Sequence, residues 1–236
     1  MFYIQMENGL PHHFDAACAL YGCRELEEPY QLVSYEELVT GQYDDALRRG
    51  IFVGTVEFMQ EVWNRLKIPM PRLPRNSNRV SQCMTLGEAL EKRERENKPL
   101  FIKPKNMKVF TGFVHEGYSY RCLEDVPLDV RVLVYPVFSS PIVSEWRAYI
   151  YRHEILDVRN YSGDVFVFPD KDYLDRVVRE NKSDFPSTYC IDIGVLESQE
   201  QVVIEFNDMW AIGNYGIPNW LYVKALRDRY REIIRG

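Results

Sequence analysis

Apolar positions along the chain follow two different rhythms. In the first 70 residues short apolar runs alternate with segments of helical spacing. "MFYIQ" reads as a strand, and "HFDAACALYG" as a short helix closed by Gly22. "YQLVSYEEL" begins as a strand, and Ser34 is placed to cap a helical turn from Tyr35. "IFVGTVEFMQEVWNRLKI" predicts strand, turn and amphipathic helix, with Val56, Met59, Trp63 and Leu66 on one stripe and Thr55 as cap. "PMPRLPRNSN", with three prolines in ten residues, breaks the pattern and reads as a link. A helix follows in "TLGEALEKREREN", from near Thr85 to before Lys98-Pro99; its charged tail is a solvated face.

From Pro99 the period shortens to two. "PLFIKP", "VFTGFV", "DVRVLVYPVF", "VSEWRAYIY", "EILDVRNY", "YCIDIGVL" and "QVVIEFND" read as antiparallel strands with short turns. A last helix, "WLYVKALRDRYREII", offers Leu221, Val223, Leu226 and Tyr230 for packing. The expected plan is a small α/β domain over 1–75, then a larger α+β domain over 76–236.

At 236 residues, 46% hydrophobic and with 16 tyrosines, the chain can bury a core. A net charge of −6 argues against non-specific nucleic-acid binding and leaves room for a local basic pocket. Five cysteines without a CxxC pair suggest reduced, buried thiols. The N-terminus lacks the features of a signal peptide, and no apolar run reaches the roughly 18–20 residues of a membrane span. The expectation is a cytoplasmic protein with neither membrane nor nucleic acid as partner.

Three constellations break the patterning. In "VVIEFNDMWAIGNYG" an apolar run carries Glu205 and, two residues on, Asn207, hence on one strand face. A two-residue hairpin turn at Ser198-Gln199 would set Asp192 directly opposite Glu205. Like charges so placed repel. A divalent cation would remove the conflict, and carboxylate and amide oxygens suit Mg²⁺ or Mn²⁺; the alternative is a solvent-facing sheet surface. In "PLFIKPKNMKVFTGFV" Lys103 ends a strand, on one face with Phe101, and Lys108 lies in the loop beyond. The two could clamp a polyphosphate, or Lys103 could be an ordinary strand-edge lysine. There is no GxxxxGK[ST] phosphate loop. In "VSEWRAYIY" Glu145 and Arg147 share a face; Arg147 either pairs with Glu145 or neutralises charge developing on a substrate. The four histidines show no ligand spacing, no serine sits in GxSxG, and nothing near Cys23 marks it as a nucleophile.

Together, "FIKPKNMKVFTG", "SEWRAYI", "CIDIG" and "IEFNDMWAIGNYG", with a weaker match at "EFMQEVWNRLKIPMP", resemble the ATP-grasp superfamily. They are most similar to the bacterial and phage clade named for one arginine and two lysines. The resemblance implies an ATP-grasp fold, two α+β subdomains gripping ATP, preceded by a small pre-ATP-grasp domain. It implies Lys103 and Lys108 on the phosphates, Tyr135 and Val137 in the hinge segment that holds adenine, and Glu145 and Arg79 (in "NRVSQ") among the nucleotide-binding residues. Asp192, Glu205 and Asn207 fall on the magnesium positions, and Arg147 on the arginine that meets the transferred phosphate or acyl group. Asp208, Tyr215 and Gly216 belong to the clade's tail motif. The loop between Lys103 and Thr111 departs from the glycine-rich flap found elsewhere in the superfamily.

The implied reaction is ATP-dependent ligation of a carboxylate to an amine through an acyl phosphate, with ADP and phosphate released. Its partners would be ATP, Mg²⁺ or Mn²⁺, a carboxylate, and an amine on an amino acid, peptide or protein. A kinase on the same fold and a nucleotide-binding regulatory module without turnover are the alternatives.

Overall fold

In a computed structural model of the chain, the described residues are 1–74, 80–105, 109–118 and 120–236, without the side chain of Cys122. Arg79 and Lys108 lie outside them. The chain forms two compact units, one made of residues 1–76 together with 142–236, the other of residues 77–141. The expected division by chain order, 1–75 and 76–236, is therefore not the division by contact. The C-terminal segment returns to pack with the N-terminal one, because the last helix shares a core with the first 70 residues.

The first unit opens with β1 (Phe2–Glu7), β2 (Leu10–Pro11), α1 (Phe14–Glu25), β3 (Tyr30–Ser34), α2 (Tyr35–Val39), β4 (Ile51–Val53) and α3 (Val56–Leu66). β1 runs parallel to β3 and β4 and antiparallel to β2. The caps are local. Ser34 and Glu37 form a capping box on α2, and Thr55 accepts from the Phe58 amide to start α3. His13 does the same for α1, its Nδ1 accepting from the amides of Asp15 and Ala16 at 3.1 and 3.3 Å.

The second unit holds β5 (Gln82–Thr85), α4 (Leu86–Glu96), β6 (Leu100–Pro104), β7 (Phe113–His115) and β8 (Arg131–Pro136), in an antiparallel sheet of order β5-β8-β6-β7. Thr85 and Glu88 form its capping box. Leu86 and Ala89 of α4 pack with Leu100, Ile102, Val132 and Val134 to make its core.

The first unit resumes with β9 (Ile142–Tyr151), β10 (Glu154–Gly163), α5 (Lys171–Asn181), β11 (Tyr189–Leu196), β12 (Gln201–Asp208) and α6 (Asn219–Arg235). Its second sheet is antiparallel, in the order β10-β9-β11-β12. α5 is absent from the sequence reading, although its signal is present. Asp170 caps it by accepting from the Tyr173 amide at 2.9 Å, and Leu174, Val177 and Val178 bury one stripe against Ala148, Ile150, Ile191 and Ile193. No helix among the described residues is long and apolar enough to cross a membrane.

α6 joins the unit's two stretches. Trp63 of α3 packs edge-on against Trp210 at 6.1 Å and lies 5.1 Å from the ring of Tyr230, whose hydroxyl donates to the Leu47 carbonyl at 2.8 Å. Gly22 does not end α1, which runs on to Glu25. A Cβ at Gly22 would lie 2.3 Å from the Asn219 carbonyl oxygen and 2.5 Å from a Val223 methyl, so glycine is there to let α1 and α6 touch. Leu221, expected in the core stripe of α6, is only partly buried; Tyr222, Ala225 and Arg229 join Val223, Leu226 and Tyr230 inside.

Candidate active site

The second sheet of the first unit carries the polar cluster on one face. In register, Asp192 lies opposite Arg147 on β9 and opposite Glu205 on β12, and Asn207 follows Glu205 on the same face. The Asp192–Glu205 pairing agrees with expectation; the turn behind it does not. The loop closes between Leu196 and Glu200, with Gln199 at φ +68°, and so carries one residue more than a two-residue hairpin. A bulge beside Asp192 shifts the register back by one. The two irregularities cancel, and the carboxylates face each other.

Arg147 meets Asp192 in a fork. Nε donates to Oδ1 and Nη2 to Oδ2, both at 2.8 Å, with both side chains buried. The Asn207 amide also donates to Asp192 Oδ2 at 3.0 Å, and to Glu205 Oε1 at 3.4 Å. The repulsion between Asp192 and Glu205 is thus offset by one guanidinium and one bridging amide. Arg147 does not pair with Glu145. That carboxylate instead accepts from the Tyr161 hydroxyl at 2.8 Å.

Burial raises the Asp192 carboxyl above its ordinary range; Arg147 pulls it back, and Glu205 and Glu145 push it further up. The Arg147 charge, with a donor on each carboxylate oxygen, keeps Asp192 as its ionised partner and leaves one acceptor position open. Burial alone would weaken the charge on Arg147, but the bonds and charge of Asp192 outweigh it and hold the guanidinium above its usual value.

Two rings stand over this pair. Tyr215 lies 4.6 Å and Tyr161 5.9 Å from the Arg147 guanidinium carbon, and the two tyrosines stack on each other at 5.2 Å. Burial, then Asp192 and Glu145, push the Tyr161 hydroxyl up, so it stays a hydrogen-bond donor. Tyr161 escaped the sequence reading, because its partner Tyr215 arrives only after two further strands and a helix. Tyr149, next on the Arg147 face, donates to the carbonyls of Gly213 and Asn214 at 2.7 and 2.6 Å and fixes the segment that bears Tyr215. Asp208, in the same tail stretch as Tyr215, serves another end: it binds Arg229 of α6 through two bonds of 2.7 Å.

In the second unit, Phe101 pairs with Tyr135 and Lys103 with Leu133 between β6 and β8. The Lys103 ammonium lies 5.6 Å from the Tyr135 ring centroid, and the Phe101 ring 6.1 Å from it. Gly112 closes on this cluster: a Cβ there would come within 2.8 Å of the Phe101 ring and 3.1 Å of Lys103 Cβ. Val137 follows the end of β8 and is partly buried.

The chemistry of the donors in the first unit fits a hard divalent cation. Two carboxylates and an amide supply oxygen ligands, and Mg²⁺ takes one or two carboxylates while keeping several waters. Among the described residues no group of three or more His, Cys, Asp or Glu is placed to hold a metal, so an amide is the third ligand of the set.

Residues 78–225 match a family described as an ATP-grasp domain, the second family of the clade named for one arginine and two lysines, and the protein belongs to it. The fold is the ATP-grasp fold, as solved structures of similar architecture bear out. The ATP-grasp ligase PsnB, complexed with a phosphomimetic variant of minimal precursor, Mg and ADP, is 12% identical, with 97% of each chain covered and a TM-score of 0.58. The D-cycloserine synthetase DcsG is 12% identical, over 97% of this chain and 99% of that one, at 0.58. D-alanine–D-alanine ligase from Bacillus anthracis complexed with ATP is 12% identical, over 99% and 97%, at 0.52. At such identities the likeness is one of fold. No curated protein matches the sequence.

Proposed function

We propose that the protein is an ATP-dependent ligase that joins a carboxylate to an amine through an acyl phosphate, releasing ADP and phosphate. The observation that carries this is the Arg147–Asp192–Glu205–Asn207 cluster on one sheet face, in a chain that belongs to an ATP-grasp family. Asp192, Glu205 and Asn207 would hold Mg²⁺ or Mn²⁺, Asn207 by turning its amide oxygen inward. The cation, when bound, supplies charge neutralisation for the phosphates. Lys103, with Lys108 from outside the described residues, is assigned to the phosphates, and Tyr135, Val137, Glu145 and Arg79 to the rest of the nucleotide.

The substrate carboxylate attacks the γ-phosphorus of ATP; the bond to the β-phosphate oxygen breaks, and ADP departs. An amine then attacks the acyl carbon, and an oxyanion forms on the former carbonyl oxygen. Arg147 is the donor for that oxygen. Its Nε and Nη2 are committed to Asp192, which leaves Nη1, on the side of Gly213, to face a reacting group. Phosphate leaves, the nitrogen loses its proton, and an amide remains. No side-chain nucleophile is required, consistent with cysteines that burial pushes up, Cys18 to about 11 and Cys23 to about 12.

The experiment is ADP release on incubation with ATP, Mg²⁺ and mixtures of amino acids and short peptides, with amide product identified by mass. Release that depends on both a carboxylate and an amine, and is lost in Glu205→Ala and Lys103→Ala, is expected. A stable phosphorylated product formed without amine would make the protein a kinase instead.

A further inference from the structure

The segment between β12 and α6 makes a tight turn beside Arg147. The Ile217 amide donates to the Asn214 carbonyl at 3.2 Å, with Tyr215 at φ +46° and Gly216 at φ +89° between them. Two positive φ values in succession mark a type I′ turn, whose first central position suits Gly, Asn or Asp. Here it holds a tyrosine, in a left-handed backbone state that its Cβ makes costly. Lys67 and Asn97 adopt the same state where it ends a helix. Tyr215 caps no helix, and at 46% exposure its ring is only half withdrawn from water. Neither capping nor burial accounts for a tyrosine at this position.

The turn is held from three sides. The Asn214 side-chain oxygen accepts from the Gly216 amide at 2.8 Å, and the Asn214 amide donates to Asp15 of α1 at 2.7 Å. The Tyr149 hydroxyl of β9 lies 2.7 and 2.6 Å from the Gly213 and Asn214 carbonyl oxygens. What these contacts keep in place is a ring, 4.6 Å from the Arg147 guanidinium carbon. Its other neighbour is Tyr161, stacked at 5.2 Å and itself tied to Glu145 through its hydroxyl at 2.8 Å. A Cβ on Gly213 would lie 3.6 Å from Tyr215 Cε1 and 3.8 Å from Arg147 Nη1, so the ring edge and that nitrogen border one point. Asp192 grips the guanidinium along its Nε and Nη2 edge, about which the plane could still tilt. A ring against the face stops the tilt and keeps water off the cation.

We propose that Tyr215 is a positioning residue: its ring, held by a strained turn, fixes the plane of the Arg147 guanidinium so that Nη1 is presented to the reacting group. The proposal deepens the ligase reading and rests on it for what meets Nη1; the hold of the ring on Arg147 does not.

Two measurements on the full chain test it. The first needs no substrate: ¹⁵N NMR of the Arg147 Nε–H, assigned by its disappearance in Arg147→Lys. Ring current from Tyr215 is expected to shift that resonance upfield; Tyr215→Phe keeps the shift and Tyr215→Asn loses it. Asparagine is a residue this turn position favours, so the variant folds. The second is steady-state amide formation with Mg²⁺, varied ATP, and a mixture of amino acids and short peptides. Tyr215→Asn is expected to lower kcat about tenfold with KM for ATP unchanged, and Tyr215→Phe to restore it. A resonance that Tyr215→Asn leaves in place, or a fall in Tyr215→Phe as large as in Tyr215→Asn, overturns the proposal. Native turnover that Tyr215→Asn leaves unchanged keeps the ligase and removes Tyr215 from its machinery. A native protein that forms no amide, while the resonance responds as expected, removes the ligase reading and keeps the hold of Tyr215 on Arg147.

Discussion

Arg147–Asp192 and Arg229–Asp208 are two buried forks of nearly the same geometry, with bonds of 2.8 and 2.7 Å. Both place an aspartate of the second sheet against an arginine, and their surroundings part them. Arg229 also bonds Glu232 on its own helix at 3.1 Å, and so ties α6 to the end of β12. Asp192 has a second carboxylate, Glu205, directly opposite, an amide bridging the two, and a pair of stacked tyrosines over its arginine. A buried ion pair is thus no sign of a site by itself. What sets the first pair apart is the residue facing its aspartate: Glu205 lies opposite Asp192, where Tyr189 lies opposite Asp208.

The comparison is broken first by truncating the structural fork. Asp208→Ala leaves Arg229 buried with its main partner gone, at a cost of about 3–5 kcal/mol. Urea denaturation should show that loss, while ADP release per folded molecule stays near that of the native protein. Loss of activity without loss of stability would reverse the roles assigned to the two pairs.

Arg147→Lys keeps a charge but loses the fork. Steady-state amide formation is expected to fall by about 10²–10³-fold, the scale for removing one oxyanion donor. Glu205→Gln should abolish ADP release with no loss of stability in the same urea assay, because it also removes a like charge opposite Asp192. A destabilised Glu205→Gln would mean that Glu205 serves the fold as Asp208 does.

Gly22→Ala probes the helix that Arg229 helps to anchor. With a Cβ forced to 2.3 Å from the Asn219 carbonyl, α1 and α6 must separate, costing about 1–3 kcal/mol in thermal or urea melts. A pH-dependent effect lies at the start of α1. Burial lowers the pKa of His13, outweighing the opposing pull of Asp15, and its Nδ1 must be unprotonated to cap the helix. The capping contribution, about 1 kcal/mol, is therefore present above the unfolded pKa of about 6.5 and is lost as pH falls through the lower folded value. His13→Asn should keep the cap and flatten that part of the stability–pH curve.

Local features were legible from the chain. Ser34, Thr55 and Thr85 cap the helices they precede, since a capping hydroxyl and its target amide are only three residues apart. β9, β11 and β12 follow their period-two runs, and Asp192, Glu205 and Asn207 share a face by alternation. α5 is equally local, with Asp170 ahead of Leu174, Val177 and Val178, but the strand-like texture around it masks the helical spacing. The register is a different case. The expected pairing stands on a three-residue loop and a bulge that happen to compensate, and neither shows in the residues.

What the sequence determined by itself is the set of strands and caps and which polar residues share each strand face, because those depend on backbone periods and neighbours a few residues away. Tertiary structure decided that Arg147 takes Asp192 and not Glu145, that Tyr161 and Tyr215 stack above it, and that Gly22 is a helix contact and not a helix end. Those choices turn on which segments far apart in the chain come within a few ångströms of one another, and only the packed core sets that distance.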